Sequence, residues 1–595
     1  MTRQRLTAGP LQVDYDSGDL RCIRLGNQEI VRRIYVVFQD RNWTARPWII
    51  ESESIETEQD SFQIDVRARG TFDASPFTWR GHVTGSPDGE ITYSIEGDTP
   101  SAFLRNRLGI CLLHPMAGFP GRACTIGHAS GETSVTAFPD RIAAHQPFMD
   151  VRWMKYPAVD GVDTRLDFSG EVFETEDHRN WSDASYKTYC TPIALSFPVE
   201  VTPEDVIRQS VRLTLNTVGT YAVAPTATES DVITSDVVTI DVGADTVRLP
   251  LLGTQITDLP WSDDEVDSIR HLGLNHLLIT IDATGPDPAG DLRAAYDVAI
   301  RTATRLHVRL IDADDAAYSS LRPTVDEVAP LVDSWMVLRR DESVTSSAQQ
   351  RVARDALGAD LPWCAGTDHY FTEINRQHPD MSGATWLGFS LNPQVHAHDD
   401  RSILQNTASH GIIARDATSI AHGARLHIGP VSLRPRFNPN ATDPDADVSS
   451  TDLPASVDDR QRTWLGAAWT ALSLRALAGS VDAVTYFEAL GWRGLRERDS
   501  GSADPDAFPS GPGEEFPVYG LLRALEGFSL VHPTTSDQPE VADALILASA
   551  TGQLRALILN LEDSPRSIRF TGTINDTIEV PPLSLTSTDL IRSAL

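Results

Sequence analysis

The stretch "LNHLLITIDATGPDPAGDLRAAYDVAIRTATRLHVRLIDA", residues 274–313, sets two short apolar runs on either side of a segment with helical period. The runs "LNHLLITID" and "RLHVRLIDA" have strand length and strand composition, whereas "DLRAAYDVAIRTA" repeats its apolar residues at three- and four-residue spacing. Strand, helix, strand is the crossover that a parallel sheet requires. The alternation continues in both directions through "VRLPLLGTQ", "SWMVLRRD", "LPWCAGTDHYF", "ATWLGFSLN", "RLHIGPVSL" and "DAVTYFEAL", with "AQQRVARDALG" and "RQRTWLGAAWTALSLRALA" between them. Eight βα units over roughly 280 residues have the size of a TIM (β/α)8 barrel. The barrel is assigned to residues 241–530.

On the N-terminal side the period becomes two. "SFQIDVRARGTF", "EITYSIEG", "ALSFPVEV" and "VRLTLNTV" alternate apolar with polar residues, the pattern of antiparallel strands with one buried face. Residues 1–240 therefore read as a β-sandwich-like domain. The rhythm breaks over 138–190, which reads as a long loop insertion; its aromatic content argues for an ordered, functional segment. After "FPVYGLLRALEGF" the alternation returns in "ADALILASA", "LRALILNLE" and "RSIRFTG", so residues 531–595 read as a small C-terminal β-sandwich. The expected fold class is multidomain α/β plus all-β, a central barrel flanked by two β domains.

With 595 residues the chain is too long for one core, and a formal net charge of −33 argues against nucleic acid or an anionic membrane surface as partner. A small molecule is the expected partner, with self-association left open. Five scattered cysteines without C-x-x-C spacing imply neither a disulfide framework nor a zinc knuckle. The opening "MTRQRLTAGPLQVDYD" has no apolar signal core, and the expected compartment is cytoplasmic. No G-x-S-x-G elbow, P-loop or G-x-G-x-x-G is present, so neither a serine nucleophile nor a nucleotide cofactor is indicated.

Catalytic groups of such barrels come from the C-terminal strand ends. Glu373, in "GTDHYFTEINR" after the fifth strand, and Glu488, in "TYFEALGWRG" at the end of the eighth, are carboxylates set among aromatics and small residues. They are the expected acid and base, or acid and nucleophile; the plainer reading of Glu488 is that it holds Arg493. His369, Asn375, His396, Arg434 and Trp492 lie at or near the same ends and are candidates for binding substrate. His396 and His398 alternate as metal ligands do, but on a late strand with few further donors downstream; no metal and no cofactor is expected. Within "FETEDHRNWSDASYKTYC", residues 173–190, Glu174, Asp177, Asn180, Trp181 and Lys187 form the inventory of a sugar-binding loop, hydrogen-bonding groups beside an aromatic face. Forty-eight of the fifty basic residues are arginine; Lys187 is one of two lysines, a compact charge suited to an oxyanion.

Taken in order, "EIVRRIYVVFQDRNW", "NRLGICLLHP", "HQPFMDVRWMKYP", "FETEDHRNWSDASYKTYC", "FTEINR", "NPQVHAHDD" and "YFEALGWRG" resemble the D-apionate lactonase family. The resemblance implies hydrolysis of D-apionolactone to D-apionate in apiose breakdown, and an N-terminal β domain, a TIM barrel and a C-terminal β domain. It assigns no catalytic residue. The alternative carried by the same two glutamates is a glycoside hydrolase acting on furanosides or apiose-containing glycans.

Overall fold

The computed structural model describes residues 4–72, 75–217, 237–437 and 453–590. By packing it forms two units: the N-terminal strands make one, while the barrel, the C-terminal strands and the four residues Asn180–Asp183 make the other.

The first unit is built of antiparallel strands. Ser75–Gly85 alternates buried and exposed positions along its length and pairs with Phe62–Phe72 on one side and Ile91–Asp98 on the other, as its period of two requires. The segment 138–190, expected to be a loop insertion, instead contains the strands Phe148–Val159, Val162–Ser169, Phe173–Asp177 and Tyr186–Tyr189. Two physical causes hide them from a periodicity reading. Phe148–Val159 changes register between Phe148 and Val151 and again between Pro157 and Val159, and Asp150 takes a φ of 57°. Tyr186–Tyr189 is buried at every position and Phe173–Asp177 at all but one, so neither shows an exposed face to alternate with.

In the second unit the eight expected strands are all present: Leu251–Gln255, His276–Asp282, Arg305–Ile311, Val332–Leu338, Trp363–Tyr370, Trp386–Leu391, Arg425–Val431 and Ala483–Leu490. Each pairs in parallel with the next, and the first pairs with the eighth to close the ring. Helix starts follow the chemistry of their sequences. Ser262 and Glu265 form a reciprocal capping box on Asp263–Arg270, and Asp287 caps Pro288–Thr302 with proline at its first position. The boundary read at residue 240 falls inside a strand, Val237–Val242, which runs parallel to Arg566–Gly572 and antiparallel to Thr534–Ser536. Val238 and Ile240 share a core with Ile546, Ile558 and Phe570. The C-terminal β module thus draws a strand from before the barrel. Among the described residues no helix is long and apolar enough to cross a membrane.

The barrel interior carries a polar cluster where branched apolar side chains are usual. The rings of His276, His307 and His427 lie 4.2 to 5.3 Å apart, all buried. Thr485 Oγ1 lies 2.8 Å from His276 Nε2 and 2.7 Å from His427 Nε2, and Ser334 Oγ lies 2.6 Å from His307 Nδ1. Burial lowers the pKa of His276 to about 3 and holds those of His307 and His427 well below the usual imidazole value. The folded state keeps these rings neutral while the unfolded chain protonates them near pH 6.5. Stability is therefore full above pH 6.5 and is lost as pH falls from there toward 3, at up to about 1.4 kcal/mol per pH unit for each histidine. Urea midpoints at pH 7, 6 and 5 should fall, and the fall should be shallower in His307→Asn. An equal slope in the variant would locate the acid sensitivity elsewhere.

Candidate active site

Two backbone irregularities shape the C-terminal mouth of the barrel. Gly366, at φ 141°, approaches the sixth strand so closely that a Cβ would lie 2.0 Å from the Gly388 carbonyl oxygen, and the fifth strand changes register between Gly366 and Tyr370. The resulting bulge carries Asp368 and His369. Phe487 takes φ 55°, strained for an aromatic residue, immediately before Glu488, where the pairing with the first strand also shifts.

Glu488 is buried, and its carboxylate receives Arg493 Nε at 2.6 Å and Thr257 Oγ1 at 3.5 Å. Arg493 also donates to Ser456 Oγ at 3.1 Å. The arrangement is the one in which Glu488 holds Arg493. Nearby in sequence, Trp492 donates its indole N–H to Ser502 Oγ at 3.1 Å and stacks on Phe508.

Glu373 lies in the first turn of the helix Phe371–Gln377 and is also buried. Burial raises its pKa above the usual carboxylate value, opposed by Arg376 one turn away. The same helix presents Asn375, whose Nδ2 donates to Asn180 Oδ1 at 2.8 Å, and Arg376, whose guanidinium lies 5.4 Å from the Trp181 ring centre. His396, in the loop after the sixth strand, sets its ring edge-on to Trp181 at 6.1 Å. Asn180, Trp181, Asn375 and His396 thus form one group in the barrel unit.

Close to that group, His398 has its pKa lowered to about 4 by burial and by Arg434 and Arg460. Arg434 is held by Asp458 at 3.2 Å and keeps 36% of its side chain exposed. Asp458 also receives Arg460 and Gln394; burial alone would raise its pKa, but these hydrogen bonds hold it well below the carboxylate range. His369 packs edge-on to Phe437 at 4.8 Å, and burial lowers its pKa. Beside it, half-buried Asp368 pairs with Arg309 and, at 2.8 Å, with Arg436.

The three remaining sequence candidates are engaged inside the first unit. Glu174 accepts from Tyr189 Oη and, at 2.6 Å, from the Ile193 amide. Asp177 pairs with Arg179, both side chains fully buried. Lys187 stands opposite Glu176 in the strand register, with Nζ 3.0 Å from its carboxylate and 4.9 Å from the Tyr189 ring centre. Asp183, part of the sugar-binding inventory of residues 173–190, touches His396; sequence reasoning passed over Arg309. The arginine had a visible signal, a charge in the middle of the apolar strand "RLHVRLI".

A closed parallel barrel with acid, amide and imidazole groups around its C-terminal strand ends has the layout of the catalytic part of a barrel enzyme. The chain belongs to the D-apionate lactonase family: residues 1–218 match the family's N-terminal domain and residues 251–529 its TIM-barrel domain. A relative from Brucella anthropi, described as D-apionate lactonase, is 26% identical over 88% of this chain and 87% of its own. Among solved structures, a family 51 α-L-arabinofuranosidase from Bifidobacterium longum aligns with 59% of this chain and 95% of its own at 9% identity and a TM-score of 0.41. A β-arabinopyranosidase aligns with 99% of this chain and 98% of its own at 8% identity and a TM-score of 0.26.

Proposed function

We propose that the protein opens a sugar lactone, D-apionolactone, to D-apionate, as a step in the breakdown of apiose. The observation that supports this reading most directly is the match to both domains of the family in order along the chain, joined to a relative of that name over nearly its full length. The site's chemistry agrees with it. Lactone hydrolysis needs an activated water, a donor for the tetrahedral oxyanion and a proton for the departing ring oxygen, because an alkoxide is a poor leaving group. Glu373, whose pKa burial raises, is the group that supplies the proton. The partly exposed Arg434, braced by Asp458, faces the oxyanion. Glu488 keeps Arg493 in place for the substrate's hydroxyls.

The test is proton release in weak buffer on adding D-apionolactone, with other aldonolactones and aryl furanosides in parallel. Acid release far above spontaneous hydrolysis, largest for D-apionolactone, is the expected result. Silence on every lactone together with cleavage of a furanoside would replace this reading by a glycosidase one.

A further inference from the structure

We propose that His396 is the base that activates the attacking water and that Asp183 is its positioning residue; the proposal rests on the lactone-hydrolase reading. Asp183 is buried, and both of its oxygens are engaged: Oδ2 takes His396 Nδ1 at 2.7 Å and Oδ1 takes Asn406 Nδ2 at 3.0 Å. Asn406 Nδ2 also donates to the Pro393 carbonyl at 3.0 Å, which fixes the amide's orientation. A carboxylate that accepts from Nδ1 keeps the imidazole proton on that nitrogen and leaves the basic electron pair on Nε2. Carboxylate, imidazole and reacting proton in that order are the parts of an oriented general base.

The backbone supports a functional reading of the contact. Ser182, between Trp181 and Asp183, takes φ 70°, and its carbonyl is clamped by Ser409 Oγ at 2.8 Å. A left-handed serine costs conformational energy, which surrounding contacts offset here, and such strain collects at functional positions. It lets neighbouring residues place an aromatic ring against His396 and a carboxylate on its Nδ1. The loop carrying His396 follows the sixth barrel strand at the mouth, where catalytic groups of this fold arise. The segment also meets the acid's helix through Asn180 to Asn375 and Trp181 to Arg376, so base and acid are held by one set of contacts.

In the step, the water oxygen bonds to the lactone carbonyl carbon while one of its protons passes to His396 Nε2. The carbonyl π pair becomes the oxyanion. On collapse the carbonyl reforms, the bond to the ring oxygen breaks, and Glu373 protonates that oxygen. The proton on His396 then returns to solvent as Glu373 is reprotonated, so one water is consumed and one hydroxy acid is formed.

The experiment is a double-mutant cycle on kcat for D-apionolactone, with circular dichroism confirming each fold. His396→Gln should lower kcat by about 10² to 10⁴ with KM within a few fold. Asp183→Asn should lower kcat at least tenfold, and the double variant should be no slower than His396→Gln, because a positioning residue acts only through the residue it holds. Added imidazole should restore part of the turnover of His396→Ala. Turnover of His396→Gln within threefold of wild type, additive losses in the cycle, or no rescue would overturn the assignment while a working wild type left the lactonase reading standing. A wild type silent on every sugar lactone would remove that reading and this one together. If His396→Gln does not fold, imidazole rescue and the kcat-against-KM split in Asp183→Asn decide the question.

Discussion

Glu373→Gln lowers kcat for lactone hydrolysis by about 10² to 10⁴ and leaves KM within a few fold. Glutamine has the volume and shape of the protonated acid but no proton to transfer, so the buried helix turn is kept and only the transition-state step is lost. Burial raises the Glu373 pKa, the direction that suits a carboxyl group acting as an acid. Glu488→Gln is the informative comparison. It takes the charge from a pair in which Arg493 sits 2.6 Å away, leaving a guanidinium to find other partners, and its effect should fall mainly on KM. Steady-state kinetics on both variants checks the difference. Equal losses of kcat would return both glutamates to a paired role, and near-wild-type turnover of Glu373→Gln would remove it as the acid.

That contrast also shows which parts of the site are legible in sequence. The eight barrel strands could be read because short apolar runs recur between helical segments, a purely local signal: "LNHLLITID" contains His276–Asp282 and "DAVTYFEAL" contains Ala483–Leu490. Glu488 and Arg493 lie five residues apart, so their pairing was a local alternative as well. Asp183 and His396 are 213 residues apart, and no periodicity connects them. The same holds for Val237–Val242, whose strand partner Arg566–Gly572 lies on the far side of the barrel sequence. Phe173–Asp177 failed to read as a strand for a different reason. Two of its three charged residues, Glu174 and Asp177, are buried with partners of their own, and the inward/outward contrast on which strand patterns depend is weak.

Arg179→Ala destabilises the first unit by about 3 to 5 kcal/mol, the cost of leaving a buried charge without its partner. Arg179 donates Nε to Asp177 Oδ1 at 2.8 Å and Nη2 to Oδ2 at 2.7 Å, a two-point fork, while its Nη1 and Nη2 reach the carbonyls of Asp140 and Pro139 at 3.0 and 2.8 Å. Its guanidinium also lies 4.8 Å from the Tyr186 ring centre. Truncation leaves the Asp177 carboxylate to the backbone amides of Ala143 and residue 179 and takes the guanidinium donors from the carbonyls of Pro139 and Asp140, of which Pro139 keeps the Tyr186 hydroxyl. Arg179→Lys should recover little of the loss, since an ammonium has one charge centre where this site uses a planar fork. Lys187 is the converse case. Its site sets one compact charge opposite Glu176 across a strand pair. Urea unfolding followed by tryptophan fluorescence measures both substitutions. A midpoint for Arg179→Ala equal to wild type would mean that the Asp177 charge is relieved by solvent, and the segment joining Phe173–Asp177 to Tyr186–Tyr189 would then be far looser than its burial implies.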